Sequence, residues 1–245
     1  MPLSADYNSA AYPERIVLFG SEGGFSRPVL EGLLSEGVSI AAVVMPSRAK
    51  IRDAIGGFPV AVEQAARSSS LAGLAAAHDL PVLTASDLSD HRLTETLPEL
   101  GADILLVACF PWKLPRTLWH EQRSTCWNLH PSLLPKYRGP APLFWQLRYR
   151  EHNTGVTLHE VSEHIDAGHI VAQASQTLPT DTSAAALDEW VADLGVDLFV
   201  KALDRYRRDC LVTSPQNEAA ASYFPRPAQA LEFLDLKRKR PQIVE

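Results

Sequence analysis

The chain has 245 residues, of which 46% are hydrophobic and 21% are charged, values that exclude a disordered or collagen-like protein. A net charge of −6 argues against a general affinity for nucleic acid or anionic lipid. The sequence has no apolar run of about 18 residues that would predict a membrane helix, and its first residues lack the pattern of a secretory signal. Cys109, Cys126 and Cys210 form no C-x-x-C pair and predict no disulfide framework, so we expect a reduced, cytoplasmic protein with no membrane partner.

The first half of the chain alternates apolar runs with amphipathic segments. The runs lack polar alternation, which is typical of strands buried on both faces. They lie at residues 15–19, 38–45, 81–84 and 103–109, and helical spacing separates them at 28–37, at 60–78 and from Ser86 or Ser89 to Leu97. This order predicts an α/β fold with a Rossmann-like, mostly parallel sheet covered by helices on both faces.

The second half is predicted to add three strands and two helices. The strands lie at 125–130, 154–161 and 169–178, and the helices at 143–150 and 183–208, the latter capped by Thr182 or Ser183. The resulting organisation is a polar leader at 1–14, one domain at 15–208 and a short C-terminal tail at 209–245 with no complete second domain.

Asn128 and His130 lie two residues apart on a predicted strand, so both side chains leave the same face. The strand ends at Pro131, which places both residues at the carboxyl edge of the sheet, where open α/β sheets bind ligands. An amide and an imidazole together suit a reaction that builds negative charge on a carbonyl oxygen. An N-x-H pair is also common among structural hydrogen-bonding residues, so this reading needs support from elsewhere in the chain.

A second polar cluster occupies the turn between the two following strands. It contains His159, His164, Asp166 and His169. A carboxylate near an imidazole can stabilise its protonated form, whereas the spacing of the four residues matches no standard zinc site, so we expect no metal. Asp166 precedes two small residues, Ala167 and Gly168, that permit a tight turn.

Two further features lie at the same predicted edge. Phe110, Pro111 and Trp112 follow the strand at 103–109 and form either an aromatic mouth for a flat heterocycle or part of the core. The loop Gly20–Gly24 is either an anion-binding turn or a tight turn alone, and Glu22 within it would repel a phosphate.

The segment NLHPSLLPKYRGPAP, at 128–142, resembles the signature of the folate-dependent formyltransferases. This family includes methionyl-tRNA formyltransferase, glycinamide ribonucleotide formyltransferase and the sugar N-formyltransferases. The segments RIVLFGSEGGFSRPVLEGLL, HDLPVLTASDL, ADILLVACFPWKLP, TGVTLHEVSEHIDAGHIVAQ and TDTSAAALDEWVADLGVDLFVKAL resemble other parts of its catalytic domain. The similarity extends over roughly residues 15–208.

The resemblance implies transfer of a formyl group from 10-formyltetrahydrofolate to an amine, without a metal. It implies that Asn128, His130 and Asp166 form the catalytic trio, with Asn128 and a protonated His130 stabilising the oxyanion and Asp166 keeping His130 charged. The residues that it implies on the folate side are Phe110, Pro111, Trp112, Leu114, Val161 and Ile165, although Pro111 and Trp112 depart from the usual family residues.

The acceptor is expected to be a small amine, such as an amino sugar, a nucleotide-linked sugar or a modified amino acid. Ser21, Glu22 and Gly23 would contact it, and Glu22 would favour a cation over a phosphate. The family's tRNA enzyme carries a C-terminal β-barrel domain, for which the residues after 208 are too few, and this favours a small acceptor.

Three other interpretations remain open at this stage. A hydrolase would use the same trio on water, and a methionyl-tRNA formyltransferase-like protein would lack the C-terminal domain. A folate-binding protein without turnover, or a nucleic-acid protein led by the basic tail Lys237–Arg240, would belong to a different functional class. A homodimer is also left open.

Overall fold

The computed structural model describes residues 12–46, 70–85, 88, 91–120, 124–178 and 182–227. Seven strands form one sheet in the order β3-β2-β1-β4-β5-β6-β7, parallel from β3 to β5 and antiparallel for β6 and β7. The strands are β1 Tyr12–Gly20, β2 Val38–Pro46, β3 Val82–Ala85, β4 Ile104–Ala108, β5 Thr125–His130, β6 Asn153–Glu160 and β7 Ile170–Thr177. The predicted α/β class with a mostly parallel sheet is therefore confirmed.

Helices cover both faces of this sheet, as the sequence predicts. They are α1 Ser26–Ser35, α2 Leu71–Ala77, α3 His91–Glu99, α4 Arg116–Trp119, α5 Pro142–Arg148 and α6 Ala184–Arg207. One hydrophobic cluster contains apolar side chains of α1, α2 and α6, and the other contains those of α3 and α4. The central strands supply alternate residues to the two clusters, which explains why their sequences are continuously apolar.

Several boundaries differ from the sequence-based expectation. Strand β1 begins at Tyr12, inside the predicted polar leader, and the short helix α4 and a 3₁₀ turn at Glu218–Ala220 had no signal in the sequence. Helix α6 begins after Ser183, whose hydroxyl accepts a hydrogen bond from Ala186 N, as expected of a cap. The predicted caps Ser86 and Ser89, most of the helix predicted at 60–78, and the basic tail at 237–240 lie outside the described residues.

The segment at 210–227, which we name the C-terminal strap, follows α6 and lies against the sheet edge and the turn at 131–140. Ser214 exchanges two backbone hydrogen bonds with Ile170 at the start of β7. Arg138 N donates to Ser222 O, and Phe224 N donates to Arg138 O. The first part of the predicted tail is therefore packed against the domain through regular backbone pairing.

In the part of the chain that the structure describes, no helix is long and apolar enough to span a bilayer.

Candidate active site

The site lies where the strand order reverses, at the carboxyl ends of β1, β4 and β5. Open parallel sheets form a crevice at such a switch point. Here a cavity of about 700 Å³ is lined by residues that follow β1, β4 and β5, by the turn after β6 and by the start of α6. Its volume is within the usual range for a site that holds a small organic ligand.

Asn128 and His130 project from the same face of β5, as their spacing predicts. Both line the cavity, and His130 is almost fully buried. Val107 of β4 pairs with Asn128 on one side, and His159 of the antiparallel strand β6 pairs with it on the other. The antiparallel pairing thus brings a second histidine to the amide, and Asn128 Nδ2 lies 3.0 Å from His159 Nε2.

Asp166 reaches the same point from the turn after β6, where it adopts a left-handed φ of +55°. Its Oδ2 accepts a hydrogen bond of 2.7 Å from Gly139 N. Its Oδ1 faces three nitrogens at longer distances: Asn128 Nδ2 at 3.3 Å, His130 Nδ1 at 3.6 Å and His159 Nε2 at 3.7 Å. One carboxylate oxygen is therefore held by the backbone, and the other faces the side chains of Asn128, His130 and His159.

Gly168 makes this turn possible. A Cβ atom at Gly168 would overlap the carbonyl oxygen of Glu160, so only glycine permits the turn to return this close to the end of β6. The sequence-based expectation of a tight turn after Asp166 therefore agrees with the backbone.

The backbone carbonyl of Tyr137 determines which nitrogen of His130 faces the site. His130 Nε2 lies 2.8 Å from Tyr137 O, and because a carbonyl can only accept, we assign the proton to Nε2. In the neutral ring, Nδ1 then carries the lone pair and faces Asp166. His159 is oriented in the opposite sense, because its Nδ1 donates to Glu160 O at 2.7 Å and leaves Nε2 as the acceptor of the Asn128 amide.

Burial and charge act in opposite directions on this pair. Burial lowers the pKa of His130 below 6.5, while Asp166 raises it to a smaller extent. Burial alone would raise the pKa of Asp166, but His130, His159 and the N–H of Gly139 together hold it well below its usual value. The ionised form of Asp166 is thus favoured, while the burial of the His130 ring, which is more complete than the sequence indicates, opposes its protonation.

Behind Asp166, a buried polar network connects the turn that carries Asp166 to the C-terminal strap. Gln216 Nε2 donates to the carbonyls of Asp166 and Gly168, both at 2.8 Å. Gln216 Oε1 accepts from Arg138 Nε and one of its terminal nitrogens, and Arg138 also forms a two-point ion pair with Glu218. Since Gly139 N holds the Asp166 carboxylate, this network fixes both the backbone and the side chain of Asp166.

The residues predicted for the folate side all line the cavity: Phe110, Pro111, Trp112, Leu114, Val161 and Ile165. Phe110 contacts Phe19 and Trp112 edge-to-face, with ring centroids 5.5 and 5.6 Å apart. The two aromatic residues thus pack at the rim of the core and also form a wall of the cavity.

The three residues predicted for the acceptor are separated by the structure. Ser21 lines the cavity, and its hydroxyl donates to Cys109 O at 2.6 Å. Glu22 and Gly23 do not line it. The Glu22 carboxylate instead accepts from Leu71 N at 3.0 Å and from Ala72 N at 3.4 Å, because it lies at the positive end of α2. The expectation that Glu22 faces the acceptor is therefore corrected.

Sequence reasoning did not assign several residues of the site. His159 was noted only as part of a polar cluster, and Gly139, Arg138 and Gln216 carried no signal of their own. Asp188, on α6, also lines the cavity.

Among the described residues, no group of three or more His, Cys, Asp or Glu side chains is arranged to hold a metal ion.

The chain is similar to proteins of a known family. The family model described as formyl transferase matches residues 14–203. A methionyl-tRNA formyltransferase from Syntrophus aciditrophicus is 33% identical over 85% of this chain, and the chain spans only 64% of that relative's length.

Two solved structures share the fold. An N-formyltransferase from Helicobacter canadensis, in complex with folinic acid and dTDP-3-aminofucose, aligns with a TM-score of 0.63 and 22% identity over 87% of this chain and 71% of its own. A formyltetrahydrofolate deformylase from Pseudomonas syringae aligns with a TM-score of 0.62 and 22% identity, over 85% of this chain and 67% of its own. The predicted family and formyltransferase-type fold are thus confirmed, and the chain belongs to the formyl transferase family.

Proposed function

We propose that the protein transfers a formyl group from 10-formyltetrahydrofolate to the amine of a small acceptor. The observation that carries this proposal is the convergence of Asn128, His130 and Asp166 at the base of a cavity with an aromatic wall. Membership of the formyl transferase family and the folinic acid bound to a structural neighbour support the choice of a folate as donor.

The reaction requires one carbon–nitrogen bond to form and one to break. The acceptor nitrogen attacks the formyl carbon, and the carbonyl electron pair moves onto oxygen. When the pair returns, the bond to N10 of the folate breaks, the acceptor nitrogen has lost one proton, and N10 has gained one. The protein therefore has to stabilise an oxyanion and to carry a proton between two nitrogens.

The residues of the site divide this work. The Asn128 amide donates to the oxyanion, giving up its longer bond to Asp166 for a stronger acceptor. Neutral His130 takes the proton of the acceptor nitrogen at Nδ1, and the ionised Asp166, 3.6 Å from that atom, stabilises the imidazolium until the proton reaches N10. No covalent intermediate with the protein is needed.

The donor would lie against the aromatic wall. Phe110, Trp112 and Val161 offer an apolar surface to a flat ring, and the cavity is large enough for a ligand of that class. The acceptor would approach on the side of Ser21. Among the acceptors that the relatives' names suggest, methionyl-tRNA remains a candidate beside the amino sugars.

The test is turnover of 10-formyltetrahydrofolate by the purified protein, with and without an acceptor pool. The pool contains amino sugars, a nucleotide-linked amino sugar, amino-acid amides and methionyl-tRNA, and the readouts are folate absorbance and product mass. We expect consumption of the donor only when an amine is present, with a product heavier by one formyl group. Release of formate without any amine would instead support a hydrolase, the activity named for the deformylase neighbour.

A further inference from the structure

The cavity has two walls that belong to opposite faces of the sheet. Val107, Phe110 and Trp112 belong to the cluster covered by α3 and α4, and they form the donor wall. Phe25, Leu129 and Leu143 belong to the cluster covered by α1 and α6, and they form the second wall. The cavity thus wraps around the carboxyl ends of β4 and β5, so that two ligands can meet from opposite sides of the sheet edge.

Among the described residues, the second wall carries a single acidic side chain, Asp188 in the second turn of α6. It is half-buried and lies directly against Gly24, where any larger residue would overlap its carboxylate. Within the described ranges, no hydrogen bond or ion pair involves this carboxylate. Arg226, which also lines the cavity, donates instead to Pro111 O at 3.2 Å on the donor side.

A carboxylate without a partner on a partly apolar wall favours a cation. The negative charge is poorly solvated there. An ammonium group would replace the interactions with water that burial removes, whereas a phosphate or carboxylate would be repelled. Burial raises the pKa of the Asp188 carboxyl, in agreement with this poor solvation. Ser21, a further polar side chain that lines the cavity, already donates to Cys109 O, so its oxygen is left to accept a further hydrogen bond.

We propose that Asp188 and Ser21 form the acceptor subsite, in which the Asp188 carboxylate binds the acceptor's cationic amino group and selects against anionic acceptors. This inference rests on the proposed transfer to an amine, and it assigns to Asp188 the selection that the sequence suggested for Glu22. The acceptor class is a small primary amine that is protonated in solution and has apolar or hydroxylated surface around it. It binds Asp188 as the ammonium ion and releases one proton to solvent before it attacks, and the second proton is the one that His130 carries to N10.

The experiment measures equilibrium binding of two amines to the full chain by calorimetry, with no folate present. The probes are glucosamine and L-methioninamide, and their N-acetylated forms serve as neutral controls. We expect at least one amine to bind while its acetylated form does not, and Asp188→Asn to weaken that binding tenfold or more, which corresponds to about 1.4 kcal/mol. Asp193→Asn, the same change at an exposed position of the same helix, should leave it unchanged.

A second readout separates binding from a structural effect. The pKa of Asp188, followed by carbon NMR of its carboxyl group, should fall when the amine is added, because an opposite charge favours the ionised form. Two other charged or titratable side chains of the cavity, Cys109 and Arg226, are present both with and without the amine. A difference between the two titrations of Asp188 therefore reports on the amine. Absence of amine binding to the wild type, equal binding to Asp188→Asn, or an unchanged pKa would each overturn the proposal.

This test and the test of the proposed function fail independently. Amine binding that depends on Asp188, together with no formyl transfer to any amine, would overturn the transferase and keep the subsite. Formyl transfer to an amine with the same KM in wild type and Asp188→Asn would keep the transferase and overturn the subsite.

Discussion

Asn128 has acceptors within the protein for both N–H groups of its amide: His159 Nε2 at 3.0 Å and Asp166 Oδ1 at 3.3 Å. The shorter bond fixes the orientation of the amide, since the Nδ1 proton of His159 is committed to Glu160 O. An oxyanion therefore competes only for the longer bond. His159 thus acts as a positioning residue that presents the Asn128 N–H to the cavity.

Replacement of Asn128 by alanine should lower kcat by about 10²–10³, the cost of losing one oxyanion donor. Binding of the folate donor should change little, because in the proposed arrangement the donor lies against the aromatic wall rather than against Asn128. The measurement is kcat for formyl transfer together with donor affinity by fluorescence. Asn153→Ala, at an exposed position of β6, is the matched control, and activity of Asn128→Ala within a few-fold of wild type would contradict the oxyanion role.

Replacement of Asp166 by asparagine should change the pH profile as well as the rate. Burial lowers the pKa of His130 and Asp166 raises it, so removal of the carboxylate charge leaves the pKa of His130 lower still. If neutral His130 is the active form, the acidic limb of the kcat profile moves to lower pH while kcat falls. A rate profile between about pH 5 and 8 measures this shift. Asp193→Asn should retain the wild-type profile, and an unshifted limb in Asp166→Asn would show that His130 does not carry the proton.

At the scale of elements, Glu22 joins the first loop to the start of α2. Its carboxylate accepts from Leu71 N and Ala72 N, beside the cap Ser70, whose side chain accepts from Gly73 N. Helix α2 has only seven residues, so free N–H groups at its start are a large fraction of its backbone donors.

Glu22→Gln should therefore affect stability more than acceptor recognition. The loss of charge at the helix N-terminus should cost about 0.5–1 kcal/mol of unfolding free energy, while KM for the acceptor stays within about twofold of wild type. Urea unfolding and steady-state kinetics measure the two effects. A large rise in KM with unchanged stability would return Glu22 to the acceptor site, where the sequence first suggested it, and Glu189→Gln, at an exposed position of α6, is the control.

The difference between Glu22 and Asn128 shows which parts of the site the sequence could predict. Asn128 and His130 follow from local periodicity, because β5 spans 125–130 as predicted and alternation fixes the face of each residue. Glu22 depends on where α2 begins, a contact between residues 49 positions apart that no local pattern contains. His159 depends in the same way on the antiparallel register of β5 and β6.

At the scale of the whole molecule, the α/β class was predictable because every central strand is continuously apolar. The contacts of the C-terminal strap with the site were not predictable, because this segment contains no periodic pattern and was expected to be a tail. It nonetheless returns to the site from beyond α6, and Gln216 lies 50 residues from the Asp166 carbonyl that it holds. Most buried polar groups in proteins have hydrogen-bond partners. Gln216 is buried and makes four hydrogen bonds, and these bonds join segments that are distant in the sequence.

Gln216→Ala should therefore lower both stability and activity, whereas Glu218→Gln should change neither by much. Removal of Gln216 leaves two carbonyls and the buried Arg138 without that partner, at a cost of about 2–3 kcal/mol. Glu218 is mostly exposed, with 68% of its side-chain surface accessible, so its ion pair with Arg138 contributes less than about 1 kcal/mol. Because Asp166 loses its backbone support, kcat should fall more than donor affinity in Gln216→Ala, measured after urea unfolding has established that the variant is folded. Equal losses in the two variants, or normal kcat in Gln216→Ala, would show that the strap does not position Asp166.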